Sequence, residues 1–239
     1  ISGEIITAIV KRAVELSILD LGSPPAQFAW LSIGSQGRKE QLLLTDQDSI
    51  IVFEDVSNDK YRDVKEYFLK LAKRTTSILE KVGFPVCPNG HMASNMSWCK
   101  SLSEWNKQYM NWINNPGDVL NEISSIFFDY EIAAGDQKLE DSITDTIYNN
   151  IKNKTLFFDF LGNDTLRKKP PLNFFKKFNL EEDGENNGTF DIKNRAIMPL
   201  VDGARLLALH YNLRGINNTY LRFKQLAIMA SAAILLVYL

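Results

Sequence analysis

The sequence has little cysteine and almost no surplus of charge. Only two cysteines, Cys87 and Cys99, occur among 239 residues, which excludes a scaffold stapled by disulfides and fits a reducing compartment. We therefore expect a cytoplasmic protein. Lysine and arginine number 27 against 29 acidic residues, for a formal charge of −2, so composition gives no reason to expect a nucleic acid or an anionic membrane as partner.

The chain also lacks an initiator methionine, and its first residues lack the basic and apolar regions of a signal peptide. We expect that it begins inside a longer protein. The apolar run at residues 226–239 is shorter than the roughly 20 residues needed to span a bilayer. It favours a buried last helix over a membrane segment.

What the chain does have is a change of pattern along its length. Short apolar runs bounded by proline, glycine or polar residues predict buried strands at residues 28–33 and 49–53. Helical spacing of apolar residues predicts helices at residues 5–19 and 64–82. Beyond residue 98 the patterns indicate helices only.

The later part of the chain begins with a capping box, in which Ser101 and Glu104 stand three residues apart. An aromatic stripe at helical spacing follows and is predicted to be core: Trp105, Tyr109 and Trp112. The polar tract at residues 181–188 is predicted to be a surface loop. We therefore predict an α+β domain with a small mixed sheet at residues 1–98, followed by an α-helical bundle at residues 99–239.

Residues 33–52 carry the pattern that points to chemistry. A turn at Gly34 and Ser35 follows the first strand, and Asp46 and Asp48 stand at the entrance of the second, where residues i and i+2 share a face. Two carboxylates on one face need a cation or a shifted proton. A triphosphate needs backbone N–H groups, which a short helix starting at the turn would offer, a hydroxyl, and carboxylates to hold its magnesium. The pattern predicts phosphoryl or nucleotidyl transfer.

These residues resemble a known signature. Glycine-serine, followed about ten residues later by Asp-x-Asp, resembles the DNA polymerase β-like nucleotidyltransferase superfamily. The fuller strings at residues 34–40 and 44–48 resemble one family within it, related to the PII-protein uridylyltransferases and often carried behind CBS and cyclic-nucleotide-binding modules in bacterial signalling proteins. The resemblance continues at residues 87–95 and 202–209, so it extends over nearly the whole chain.

The resemblance implies a metal-dependent enzyme that moves NMP from an NTP to a hydroxyl of a PII-like protein or of a small molecule. Asp46 and Asp48 would hold Mg²⁺ or Mn²⁺ and serve as the catalytic residues, while Gly34 and Ser35 would bind the nucleotide phosphates. The helical part would bind the acceptor, and regulatory domains would precede this segment in the same chain.

Two points of the resemblance stay open. Arg38 could reach a phosphate, or it could pair with Glu40 and brace the turn. Many members of the superfamily carry a third carboxylate on a later strand, whereas residues 84–96 here contain no Asp or Glu, so no general base is named. Glu104 is the next acid downstream, and its capping-box position is a sufficient reason for it. The missing carboxylate supports an alternative, an inactive regulatory module that binds nucleotide.

The cysteines raise one further alternative. Cys87, His91 and Cys99 could supply three zinc ligands. A fourth ligand is missing and the spacing matches no closed zinc site, so reduced, partly buried cysteines are the simpler interpretation.

Overall fold

A computed structural model describes the protein at residues 2–41, 45–119, 125–167, 171–172, 177–178, 180 and 188–237. The elements of these residues, in chain order, are α1 (Ser2–Leu21), β1 (Phe28–Ile33), α2 (Gly34–Gly37), β2 (Ser49–Phe53), α3 (Asn58–Lys81), β3 (Cys99–Ser101), α4 (Leu102–Asn114), α5 (Pro116–Val119), β4 (Tyr130–Gly135), α6 (Gln137–Asn150), α7 (Thr155–Arg167), α8 (Met198–His210) and α9 (Thr219–Val237). Short 3₁₀ turns precede β3 and β4, and a π-helical turn at Lys193–Ile197 leads into α8. The predicted α+β class is confirmed.

The four strands form one mixed sheet in the order β3-β2-β1-β4. β1 is antiparallel to both β2 and β4, and β2 is parallel to β3. Phe28 lies opposite Phe53, and Ser32 lies opposite Ser49. Every residue of β1 and β2 is buried, because these strands are the centre of the sheet, and this explains why both read as unbroken apolar runs. Both strands have the predicted bounds.

Helices α1 and α3 supply the core on one side of the sheet. Phe28 and Phe53, from the two central strands, each place their rings 5.3 Å from the ring of Phe68 in α3. Ile6 and Val14 of α1 join the same buried cluster. The two predicted helices are therefore confirmed, and each extends beyond its predicted start.

The prediction of helices only beyond residue 98 is wrong, because β3 and β4 complete the sheet. Residues 130–135 contain two alanines and a glutamate, which favour helix locally, but pairing with β1 along its whole length fixes them as a strand. The described chain forms two compact units, one of residues 1–113 and 126–150 and one of residues 114–125 and 151–239. The domain boundary after residue 98 stays a prediction.

The capping box is confirmed at the start of α4. The Ser101 N–H donates to Glu104 Oε2 at 2.9 Å, and the Glu104 N–H donates to Ser101 Oγ at 3.4 Å. The aromatic stripe is fully buried, as predicted for core residues. Trp105 also donates its indole N–H to the carbonyl of Ile51 at 2.8 Å, and the stripe lies in the same compact unit as the sheet.

The second unit is built from helices. α8 packs against α7 and α9 through buried apolar residues. α9 is the predicted last helix, but Ile228 in it is 53% exposed, so its described part is not buried as predicted. No helix in the part of the chain that the structure describes is both long and apolar enough to cross a membrane. The predicted surface loop lies almost entirely outside the described residues, as do residues 42–44 of the central stretch.

Candidate metal and nucleotide site

The turn after β1 is short and tightly held. α2 begins at Gly34 and ends at Gly37, so within the described residues it is shorter than the helix predicted there. Gly34 has a φ of +62°, a conformation that glycine adopts without strain. Its N–H donates to the carbonyl of Asp129 at 2.9 Å and is therefore used within the chain. Ser35 is partly exposed and stays the predicted phosphate contact.

Gly34 brings the turn against the entrance of β2. A Cβ at this position would lie 3.4 Å from Asp48 Oδ2 and 3.6 Å from the side chain of Ile126. The neighbouring Ile33 donates its N–H to the carbonyl of Asp48 at 3.1 Å. The missing side chain of Gly34 therefore leaves room beside the Asp48 carboxylate.

The two predicted metal ligands stand immediately before β2, as the sequence indicated. Asp46 and Asp48 are both partly exposed. The Gln41 side chain donates to the backbone carbonyl of Asp46 at 3.2 Å and so fixes the approach to the strand. Carboxylate oxygens at a partly exposed position are the donors that Mg²⁺ and Mn²⁺ prefer, so the residues fit the ion that the fold implies.

A loop crosses over Asp48 because the residues on either side of it hold the two ends of that loop. The Gln47 N–H donates to the carbonyl of Pro85 at 3.0 Å, and the Ser49 N–H donates to the carbonyl of His91 at 2.9 Å. The loop between Pro85 and His91 is thus attached to the entrance of β2 through backbone atoms. Its side chains are placed beside Asp48.

Within this loop a turn brings two further side chains together. The Gly90 N–H donates to the carbonyl of Cys87 at 3.0 Å, which closes the turn. As a result, one ligand atom each from Asp48, Cys87 and His91 lie within 4.8 Å of one another. Cys99 is not a member of this group, so the zinc trio weighed from the sequence is not formed.

The thiol and the imidazole of this group are both neutral at pH 7. Burial raises the pKa of Cys87 to about 11, and the hydrogen bond between its thiol and the Asp48 carboxylate acts in the same direction. Burial lowers the pKa of His91, although the charge of Asp46 opposes this change. Asp48 therefore faces two uncharged groups that can both bind metals.

Aromatic rings fix the position of His91. Its imidazole lies edge to face with Phe127 at a centroid distance of 5.6 Å and with Trp98 at 6.0 Å. The Tyr109 hydroxyl donates to the carbonyl of Phe127 at 2.7 Å. The buried stripe of α4 therefore supports the site from behind, a contribution that its helical spacing could not reveal.

Arg38 is the centre of a buried ion-pair network. Its Nη1 lies 2.8 Å from Asp129 Oδ2, and its Nε donates to Glu40 Oε2 at 2.9 Å. Arg38 is 6% exposed and Asp129 is fully buried. The pairing with Glu40 considered for Arg38 is thus present, and its contact with a phosphate stays a prediction. The sequence did not predict the pairing of Asp129 with Arg38, because the two residues stand 91 positions apart.

The Glu104 carboxylate makes its contacts away from the two aspartates. Besides capping α4, both its carboxylate oxygens accept from the Tyr61 hydroxyl at 2.8 Å, and Lys65 Nζ is 4.0 Å away. These contacts explain the residue structurally.

Two family models match the chain. The model described as "Putative nucleotidyltransferase DUF294" matches residues 1–119, which include the turn at Gly34 and both aspartates. The model described as "Putative nucleotidyltransferase substrate binding domain" matches residues 155–230, which lie in the second unit. No curated protein matches the chain. Since the two matches together cover most of the sequence and agree with the fold and the position of the aspartates, the chain belongs to the family described as "Putative nucleotidyltransferase DUF294".

Proposed function

We propose that the protein transfers NMP from an NTP to a hydroxyl of a PII-like protein or of a small molecule, as part of a bacterial signalling protein. The observation that carries this proposal is the placement of Asp46 and Asp48 at the entrance of β2, beside a turn whose glycine leaves space at the Asp48 carboxylate. The match to the family model over the same residues supports it.

In this proposal the roles are divided among few residues. Asp46 and Asp48 hold Mg²⁺ or Mn²⁺, and the chemistry that such an ion supplies is neutralisation of charge on the triphosphate. Ser35 contacts a phosphate, and Gly34 keeps the space open. Arg38 acts as the brace of the turn, because its guanidinium already pairs with Asp129 and Glu40.

The second unit supplies the acceptor side. The model matched there is described as a substrate binding domain, and α7, α8 and most of α9 lie within its limits. Since neither match names an acceptor, a panel is needed that includes a PII-like protein and small hydroxyl compounds.

The test is magnesium-dependent transfer of label from each of the four NTPs, together with release of pyrophosphate. Asp46→Asn and Asp48→Asn should each lower the rate at least about 100-fold, because the loss of a metal ligand removes several kcal/mol of transition-state stabilisation. Asp20→Asn is the matched control, since this exposed carboxylate pairs with Arg74 on the surface. Transfer that survives both site substitutions contradicts the proposal.

One observation favours a second candidate, a regulatory module that binds nucleotide without transferring it. The stretch at residues 84–96 contains no carboxylate, and it places a thiol and an imidazole beside Asp48 instead. Calorimetry separates the two functions. Magnesium-dependent NTP binding without pyrophosphate release for any acceptor supports the module, and the absence of binding excludes both.

A further inference from the structure

The group of Asp48, Cys87 and His91 offers three chemically different donors to one position. A carboxylate oxygen, a thiol sulfur and an imidazole nitrogen all lie within 4.8 Å of one another. These residues come from two separate segments, the entrance of β2 and the loop after α3, so their meeting is a property of the fold and not of local sequence.

This donor set differs from that of a magnesium site. Magnesium prefers oxygen ligands and keeps several waters, whereas thiolate and imidazole suit zinc. Zinc binds Cys sulfur at about 2.3 Å and His nitrogen or carboxylate oxygen at about 2.0–2.2 Å, so its ligands stand roughly 3.5 Å apart. The three donor atoms lie within 4.8 Å of one another, so binding of zinc would draw them together by about 1 Å.

The surroundings of the group also suit a bound ion. His91 packs edge to face against the neighbouring rings of Trp98 and Phe127, which limits the directions that its imidazole can take. The space that Gly34 leaves beside Asp48 can admit a water as the fourth ligand.

We propose that Asp48, Cys87 and His91 form a binding site for zinc, and that zinc and the magnesium-bound nucleotide exclude each other because both require Asp48. Binding displaces the Cys87 thiol proton to solvent and leaves the sulfur as a thiolate ligand, with no change in oxidation state. The proposal that zinc binds is based on the geometry of the three residues. The exclusion part rests on the proposed function, which places magnesium at Asp46 and Asp48.

Cobalt(II) is the probe for the binding part, because it takes zinc sites and shows a thiolate-to-metal absorption band. Titration of the full chain, freed of metals by a chelator, should produce this band, and an equivalent of zinc should remove it. Cys87→Ser should abolish the band, whereas Cys99→Ser, the same change at a cysteine outside the group, should retain it. His91→Gln should weaken zinc binding by more than about tenfold, the loss typical even of outer-shell partners.

Circular dichroism of each variant shows whether it is folded, and His91→Gln gives a second test if Cys87→Ser is not. The binding proposal is overturned if wild type gives no band or if folded Cys87→Ser gives the same band. For the exclusion part, magnesium with a non-hydrolysable NTP should remove the cobalt band from wild type. A persistent band, with the nucleotide shown by calorimetry to be bound, overturns exclusion while leaving the zinc site and the proposed function intact.

The two proposals can fail separately. Nucleotide binding and transfer without any cobalt band leave the proposed function standing and reject the zinc site. A cobalt band in a chain that binds no magnesium-nucleotide rejects the function and leaves the zinc site standing.

Discussion

The carboxylates on the two sides of Gly34 differ in their burial and in the groups that they face. We define the closed side as Gly37, Arg38, Glu40 and Asp129, and the open side as Asp46, Asp48, Cys87 and His91. On the closed side the Arg38 guanidinium pairs with two carboxylates and is almost fully buried. On the open side the carboxylates are partly exposed and face a neutral thiol and imidazole. One turn thus separates ion pairs that stabilise the fold from carboxylates that are available to a ligand.

Two glycine substitutions test this difference most strongly. In Gly37→Ala the new Cβ would stand 2.3 Å from the backbone carbonyl oxygen of Asp129, which cannot move without disturbing β4, so we expect the free energy of unfolding to fall by about 3 kcal/mol or more. Gly34→Ala meets only ordinary contacts, and its positive φ should cost about 1–2 kcal/mol. Urea unfolding followed by circular dichroism measures both, and equal losses would contradict the distinction.

The same substitution made on each side gives the next largest contrast. Asp129→Asn removes one partner of a buried ion pair and should lower the free energy of unfolding by about 3 kcal/mol. Asp48→Asn removes a partly exposed charge near Asp46 and should change it by less than about 1 kcal/mol while abolishing transfer. A large loss of stability in Asp48→Asn would show that the open side also holds the fold.

A helix cap remote from both sides gives a reference value for the loss of one hydroxyl, which here also bonds the Asp55 carboxylate. Ser101→Ala removes the hydroxyl that accepts from the Glu104 N–H, and we expect a loss of about 1 kcal/mol. Thermal unfolding of Ser101→Ala and Asp129→Asn, measured side by side, should show the smaller loss of stability in Ser101→Ala. The reverse order would mean that the Arg38 network contributes little.

The buried thiol of Cys99 makes the stability of the protein depend on pH. Burial raises the pKa of Cys99 to about 12 from a value of 9.0, so the folded state holds this proton more tightly than the unfolded state does. The resulting stability is fully present below pH 9 and is lost as pH rises towards 12. The stability of wild type relative to Cys99→Ser should therefore fall by up to about 1 kcal/mol between pH 8 and 9.5. Urea unfolding at both pH values measures it, and a constant difference would contradict the burial.

Much of the fold could be predicted from the sequence, because the local pattern of these segments matches their burial in the folded protein. The central strands β1 and β2 are buried on both faces, so their residues form unbroken apolar runs with clear limits. The capping box of α4 is likewise a local signal. β4 could not be read in this way, since residues 130–135 become a strand through pairing with β1.

The same distinction between local pattern and distant contacts applies to the candidate site. The sequence could predict a site at Gly34, Ser35, Asp46 and Asp48 because these residues lie within one short stretch. The partner of Arg38 and the neighbours of Asp48 come from distant segments, and their approach depends on backbone hydrogen bonds that composition does not encode. The sequence therefore drew attention to the two aspartates together, and it named Cys87 and His91 as possible metal ligands without placing them beside Asp48.

The attachment of the loop between Pro85 and His91 has a consequence for how such a protein can diverge. Both ends of the loop are held through carbonyl oxygens, which every amino acid possesses, so the attachment is indifferent to the side chains between them. Point mutations at Cys87 or at neighbouring loop positions can therefore exchange the donors beside Asp48 while the sheet is inherited unchanged. The metal preference that we propose could therefore change by substitution within this loop, without a change in the sheet.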